Sequence, residues 1–380
     1  MRVALLSFNF PEYCIRLASA LSQDVKILLI LPREQAEGHT DILDQSVSFL
    51  PFAYPRLRQP LKQVKLALHL CGQIQDFRPD VVHLQQGHIW FNLFLAMLPR
   101  CGLVVTVHDY RAHPGDKPSR KTPQWILDRG IHRANELIVH ARHVQELVVS
   151  NYRIPKDCVH VIPHIKLGSC DLQQHSTPMG PPTVLFFGRI WKYKGLEYLI
   201  RAEPLITAEV PDVRIVIAGQ GEDFSPYRRM MVDPDRFVVF NEYVSDTRRG
   251  ELFAAATVVT LPYIEASQSG VVPLAYTYGK PLVVTNVGGL PEMVEHERTG
   301  LCVAPGDERA LAGAIVRLLK DRDLANLLGA NGYQKVNTDC SPIQVASRTL
   351  EVYERALLDS YTVSQSTAHR SAQGDVTAQT

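Results

Sequence analysis

The run Phe186-Phe187-Gly188-Arg189-Ile190-Trp191-Lys192-Tyr193-Lys194-Gly195 decides how this chain reads. A short apolar strand over Thr183–Phe187 ends at Gly188, and a glycine there permits a tight exit. Arg189 and Lys194 follow on a loop that opens a helical pattern at Leu196–Glu209. Strand, glycine turn and helix start form the unit of a doubly wound parallel sheet, whose ligands bind at the carboxyl ends of the strands. Two cations beside helix-start N–H groups make an anion site fit for a diphosphate. A solvated basic loop is the plain alternative from these residues alone.

Toward the C-terminus the same rhythm continues. Strands are expected at Val213–Ala218, Phe237–Phe240, Thr257–Leu261, Leu282–Thr285 and Gly300–Val303, with helices at Asp246–Ala255, Gly270–Tyr278 and Glu308–Leu319 between them. After the fourth strand comes Leu261-Pro262-Tyr263-Ile264-Glu265-Ala266-Ser267-Gln268-Ser269-Gly270-Val271-Val272. Residues Ser267 to Gly270 can present free N–H groups to phosphate oxygens where the next helix begins. Glu265 can accept hydrogen bonds from sugar hydroxyls. The alternative is an N-capping serine next to an ordinary acidic loop residue.

Toward the N-terminus a second series appears, with strands at Arg2–Ser7, Val25–Leu31, Val81–Leu84, Leu103–Val107, Glu136–Val139 and Val159–Ile162, and helices including Glu12–Ser22 and Pro60–Phe77. Nearly continuous apolar runs such as Leu103-Val104-Val105-Thr106-Val107 suit strands buried on both faces. The chain therefore divides into an N-terminal Rossmann-like domain over 1–168, a Gly-, Pro- and Ser-containing linker over 169–182 and a second domain over 183–340. A helix over 341–359 is expected to pack back on the first domain, with a disordered tail over 360–380, rich in Ser, Thr, Gln and Ala.

Composition narrows the function. With 380 residues and 46% apolar content, two cores fit better than one. Forty Lys and Arg nearly cancel thirty-nine Asp and Glu, so bulk charge does not point to nucleic acid. Seven cysteines without C-x-x-C spacing suit reduced thiols and a cytoplasmic location. No stretch reaches about 18 continuous apolar residues, so an integral membrane protein is not expected.

The ordered set of motifs resembles family 4 of the retaining glycosyltransferases, which have the GT-B fold: two Rossmann-like α/β domains facing across a cleft. The set comprises Gly188-Arg189 with Lys194-Gly195, Ala218-Gly219-Gln220-Gly221-Glu222, Tyr243-Val244-Ser245, Tyr278-Gly279-Lys280-Pro281, Gly288-Gly289-Leu290-Pro291-Glu292 and Pro305-Gly306-Asp307. The resemblance implies transfer of a hexose from a nucleotide-diphosphate sugar to an acceptor hydroxyl, with retained anomeric configuration, in cell-surface polysaccharide or glycoconjugate biosynthesis. Arg189 and Lys194 would bind the diphosphate, beside Gly188. Tyr243 and Val244 would meet the nucleobase. Glu265, Ser267, Ser269, Gly270 and Val271 would hold donor sugar and phosphate. His108, after Leu103–Val107, matches the family's active-site histidine. No metal or other cofactor is expected.

Two places depart from the family pattern. The second glutamate of its Glu-x7-Glu pair is replaced by Leu274, which cannot bind ribose hydroxyls, and Glu265 stands one residue early. The Gly-rich loop after the first strand is replaced by Asn9-Phe10-Pro11-Glu12-Tyr13-Cys14. Among weaker signals, Asp233-Pro234-Asp235 spells a metal-type D-x-D but reads as a turn. His83-Leu84-Gln85-Gln86-Gly87-His88 follows a strand and can line the acceptor side. The basic stretch Arg111–Arg133, with Arg111, Lys117, Arg120, Lys121, Arg129 and Arg133, can meet an anionic membrane or a lipid-linked acceptor. Peripheral contact with the inner face of the membrane is thus open. Two rivals stand: a same-fold sugar-nucleotide epimerase or hydrolase, and a non-catalytic sugar-nucleotide sensor.

Overall fold

The computed structural model describes residues 1–111, 123–170 and 180–374. Two sheets organise them, and every strand pairing is parallel. The first holds β1 (Arg2–Ser7), β2 (Lys26–Pro32), β3 (Ser48–Phe52), β4 (Val81–Gln85), β5 (Gly102–Thr106), β6 (Glu136–Val139) and β7 (Val159–Val161) in the order β3-β2-β1-β4-β5-β6-β7. The second holds β8 (Thr183–Phe187), β9 (Arg214–Ala218), β10 (Phe237–Phe240), β11 (Val258–Leu261), β12 (Leu282–Thr285) and β13 (Gly300–Val303) in the order β10-β9-β8-β11-β12-β13. Strands β4, β5, β6 and β11 are buried at every residue, as parallel strands with helices on both faces must be. Strand order reverses between β1 and β4 and between β8 and β11. Those two crevices are where doubly wound sheets bind ligands.

Strand β3 was not expected from the sequence. It carries Pro51 and lies at the sheet edge, where a missing N–H costs no ladder bond. The C-terminal helix Pro342–Gly374 returns to the first domain, burying Val345, Val352, Tyr353 and Ala356 beside Ile15, Leu17 and Leu21. The helix runs to Gly374, past the start of the tail expected over 360–380, and the last residues lie outside the described ones. No proline or glycine interrupts it after Pro342, so each further residue adds a hydrogen bond without a new nucleation cost. Most of the linker expected over 169–182 also lies outside the described residues.

The domains touch at several named points. Glu12 accepts bonds from Arg16 Nε (3.0 Å), from the Gly168 amide (2.5 Å) and, across the domains, from Arg249 Nη1 (3.0 Å). Burial alone would raise the Glu12 pKa, but Arg249, the Gly168 amide and Arg16 outweigh it and hold it low. Farther along, the Glu292 carboxylate accepts from the backbone N–H of Arg142 (2.7 Å) and of His143 (2.8 Å), the first turn of the Arg142–Tyr152 helix. No helix among the described residues is long and apolar enough to cross a membrane.

Candidate functional site

The loops after β8 and β11 meet at the crevice of the second sheet. Gly195 adopts a left-handed φ of 65°, and a Cβ there would run into the Pro262 carbonyl. The Ile264 amide donates to Tyr193 O (2.8 Å), tying the loops a second time. This approach carries Lys194 inward. Its ammonium donates to Tyr263 Oη at 2.7 Å, and Tyr263 Oη lies 3.3 Å from Ser269 Oγ. Lys194 is buried, not solvated, and burial lowers its pKa. Two flanking charges act on it in opposite senses: Arg189 disfavours its charged form, and Asp109, across the domains at the end of β5, favours it.

Of the residues expected at the donor site, Lys194 and Ser269 come together through Tyr263. Ser269 Oγ also accepts from the Val271 amide (3.3 Å), beside Gly270 at the start of the Val271–Thr277 helix. Ser267 is buried in the same loop, while Arg189 and Glu265 lie exposed at its rim. Gly188 takes φ 115° and lies against Gly219. Tyr243, 77% exposed, and half-buried Val244 follow β10, at the sheet's outer edge and apart from the Lys194 cluster. Leu274 is buried, and its Cδ1 would stand 2.9 Å from a Cβ on Gly168, so it packs on the start of the interdomain crossing. Asp233-Pro234-Asp235 forms a turn in which Asp233 accepts from the Asp235 amide. Among the described residues no three His, Cys, Asp or Glu side chains are grouped to hold a metal ion.

The first domain gathers four buried histidines: His83 inside β4, and His108, His140 and His164 just past the carboxyl ends of β5, β6 and β7. The Ile162 carbonyl only accepts, so the 2.9 Å contact places a proton on His140 Nδ1. His140 Nε2 is then an acceptor and takes a bond from His108 Nδ1–H at 3.2 Å, and the unprotonated His108 Nε2 lies 2.8 Å from the Gln85 side-chain amide, which donates to it in this tautomer. The chain continues through His83, which bonds Thr106 Oγ1 (2.8 Å) and Tyr353 Oη (2.7 Å). His108 thus stands where the sequence puts it, but its ring is fully buried with both nitrogens engaged. Phe10 stacks on it at 4.0 Å. In this conformation neither nitrogen is presented to the cleft. His140, His164 and Tyr263 were not singled out from the sequence. All three carried the same local signal, a place one or two residues after an expected strand end.

Comparison with known proteins places these features. Residues 181–321 match the family model described as Glycosyl transferases group 1, and residues 12–165 match the model described as Glycosyltransferase Family 4. An uncharacterized glycosyltransferase of Methanocaldococcus jannaschii is 34% identical over 177 residues, covering 46% of this chain and 45% of that protein. The matched part is thus less than half the length of that relative. Glycogen synthase of Mycobacterium tuberculosis is 27% identical over 314 residues, covering 76% of this chain and 72% of that one. Among solved structures, Anabaena HepE in complex with UDP superposes with a TM-score of 0.70 at 16% identity, covering 93% of this chain and all of that one. Sucrose-phosphate synthase of Thermosynechococcus elongatus gives 0.70 at 18% identity, covering 94% and 99%.

Proposed function

We propose that the chain, whose two halves match glycosyltransferase family models and whose fold is GT-B, is a retaining, family 4 hexosyltransferase that takes a nucleotide-diphosphate sugar as donor and glycosylates an acceptor hydroxyl. Cell-surface polysaccharide or glycoconjugate assembly is the setting that reading suggests. The enzyme would work in the cytoplasm or peripherally at the inner face of the membrane. The observation that carries the proposal is the buried Lys194 ammonium held 2.7 Å from Tyr263 Oη, beside Ser269 and with Arg189 on the same loop. In the reaction the bond from the anomeric carbon to the diphosphate oxygen breaks, the acceptor oxygen bonds that carbon, and the acceptor proton passes to the departing diphosphate. Negative charge grows on the departing diphosphate. Arg189, Lys194 and the amides near Gly270 would stabilise it, as electrostatic groups fixed in advance do. These groups would make a divalent cation unnecessary.

Release of nucleoside diphosphate from a panel of nucleotide sugars, with and without hexose and lipid-linked acceptors, tests the proposal. Turnover that requires an acceptor and survives EDTA is expected. Arg189→Ala and Lys194→Ala should each lower kcat by about a hundredfold or more, the usual scale for losing one stabilising group. Wild-type kinetics in both variants would remove the diphosphate assignment. Donor conversion without acceptor would favour the epimerase or hydrolase reading, and donor binding without any turnover would favour the sensor.

A further inference from the structure

Burying a lysine ammonium is costly unless its hydrogens find acceptors. Lys194 is buried, and its four-carbon stem is flexible, so a neighbour must fix where the charge sits. Lys194 Nζ donates to Tyr263 Oη at 2.7 Å, and the same ammonium stands 4.0 Å from the centroid of the Tyr263 ring. The Tyr263 backbone is pinned by two other elements. Its carbonyl accepts from Thr285 Oγ1, at the end of β12, at 2.5 Å, and the adjacent Pro262 carbonyl lies against Gly195 from the loop after β8. The phenol is itself buried, and burial pushes its pKa up, so it stays a neutral hydroxyl. A fixed, neutral acceptor thus meets a flexible cation.

The direction of these bonds follows from the groups. An ammonium only donates, so Tyr263 Oη accepts from it, and the phenol hydrogen goes to Ser269 Oγ at 3.3 Å. Ser269 Oγ also takes the Val271 amide, at 3.3 Å. Lys194, Tyr263 and Ser269 therefore form one directed chain across the loops after β8 and β11. A phenylalanine would fill the same apolar space as Tyr263. The hydroxyl is the part that packing alone does not require.

We propose that Tyr263 is a positioning residue for the transfer reaction, acting through Lys194: its phenol holds the ammonium in place for the donor diphosphate. The proposal rests on reading the cleft as a glycosyl-transfer site. Among the described residues, the charged and titratable groups facing the ammonium are Arg189 and Tyr193 from its own loop, Tyr263 from the loop after β11 and Asp109 from the first domain. Arg189 disfavours its charge, whereas Tyr193 and Asp109 favour it. Removing the phenol oxygen takes an acceptor from the charged form, so the proton is held less tightly.

Carbon-13 at the lysine ε position of the full chain, without ligand, gives a titration for Lys194 by magnetic resonance, assigned by the signal lost in Lys194→Arg. Tyr263→Phe keeps the ring and removes the oxygen. Its Lys194 midpoint should fall by about one pH unit or more, the scale of one hydrogen bond to a charged group. Tyr193→Phe should move the midpoint less. Turnover of the accepted nucleotide sugar by Tyr263→Phe should fall about tenfold or more. The alkaline limb of its kcat/KM profile should move down with the midpoint, a shift that loosened packing alone would not make. An unmoved midpoint overturns the proposal, as does wild-type turnover with an unmoved alkaline limb, or a larger effect from Tyr193→Phe. If Tyr263→Phe does not fold, Ser269→Ala should lower the midpoint by a smaller step, because the phenol loses the acceptor for its own hydrogen. An unmoved midpoint there overturns the proposal likewise. If the wild type turns over no nucleotide sugar, the glycosyl-transfer reading fails separately, and the lysine titration still decides whether Tyr263 holds Lys194.

Discussion

His83, His108, His140 and His164 are scattered over eighty residues, and only the sheet brings them into one buried row. Burial, aided in His83, His108 and His140 by neighbouring imidazoles, favours the neutral ring. It lowers His83 and His140 to about 3 and His164 to about 4, and puts His108 well below its ordinary value. In the unfolded chain each binds a proton near pH 6.5. Between that pH and about 4 the unfolded chain therefore holds more protons than the folded one. Stability is full above pH 6.5 and falls as pH drops through this window. Each histidine contributes up to about 1.4 kcal/mol per pH unit. Urea melts at pH 7, 6 and 5 should show that decline, and His140→Asn should make it shallower. Stability that stays flat from pH 7 to 5 would mean the row is not held neutral. His108 was singled out by the family resemblance, whose active-site histidine it matches after Leu103–Val107. His140 and His164 also stand just after expected strands, but their roles come from neighbours distant in the chain.

Three neighbouring elements of the first domain carry exposed apolar side chains. The Pro60–Phe77 helix exposes Leu61 (78%) and Leu68 beside Lys62 and Lys65, and Leu57 is exposed just before it. The 3₁₀ turn Phe91–Met97 exposes Leu93 and Met97, and the Gln124–Arg133 helix exposes Trp125 (59%). Hydrogen bonds tie these elements together: Gln75 Nε2 to Met97 O (2.7 Å), Asn92 Nδ2 to Ile126 O (3.0 Å) and Trp90 Nε1 to Leu57 O (3.1 Å). Between Asp44 and Asp76 the chain has no acidic residue but carries Arg56, Arg58, Lys62 and Lys65. Apolar side chains among cations suit an anionic lipid surface. The stretch Arg111–Arg133 was read as able to meet such a surface, with a solvated face as the alternative, but 112–122 lie outside the described residues. Its described helix contributes Trp125. Sedimentation with phosphatidylglycerol vesicles should capture the protein, less so at high salt, and Leu61→Glu with Leu68→Glu should reduce capture at least tenfold. Equal capture by purely zwitterionic vesicles would remove the electrostatic part of the expectation.

For the whole molecule, the contact made by Glu292 couples the two domains to the donor loop. Its carboxylate satisfies two amides at the start of the Arg142–Tyr152 helix, where a negative charge also meets the positive end of the helix dipole. Gly289, just before it, packs on the Ser267 carbonyl, and a Cβ there would stand 2.6 Å from Ala141 Cβ. One short segment thus touches both the candidate donor loop and the opposite domain. Glu292→Ala should leave the two amides unpaired, a loss of about 1 kcal/mol on the scale of an N-cap, and loosen the contact between the domains. Small-angle scattering should show a larger radius of gyration, with Glu292→Gln intermediate. An unchanged radius in the alanine variant would show that other contacts, such as Glu12 with Arg249, suffice.

The sequence by itself determined the two sheets, since all six strands of the second domain and six of the seven in the first were legible as apolar runs with turn residues between them. It also determined that Gly188, Arg189, Lys194 and Ser269 lie on loops at strand ends, because position after a strand is a local property. Tertiary structure alone decided which of these loop residues are buried together. Lys194 goes inward because Gly195 lets two loops from different strands touch, while Arg189, five residues away, stays at the surface. It likewise decided that His108 lies behind Phe10 and that Glu292 caps a helix 150 residues distant. Burial, stacking and long-range capping depend on packing between remote segments, and no periodicity along the chain encodes them.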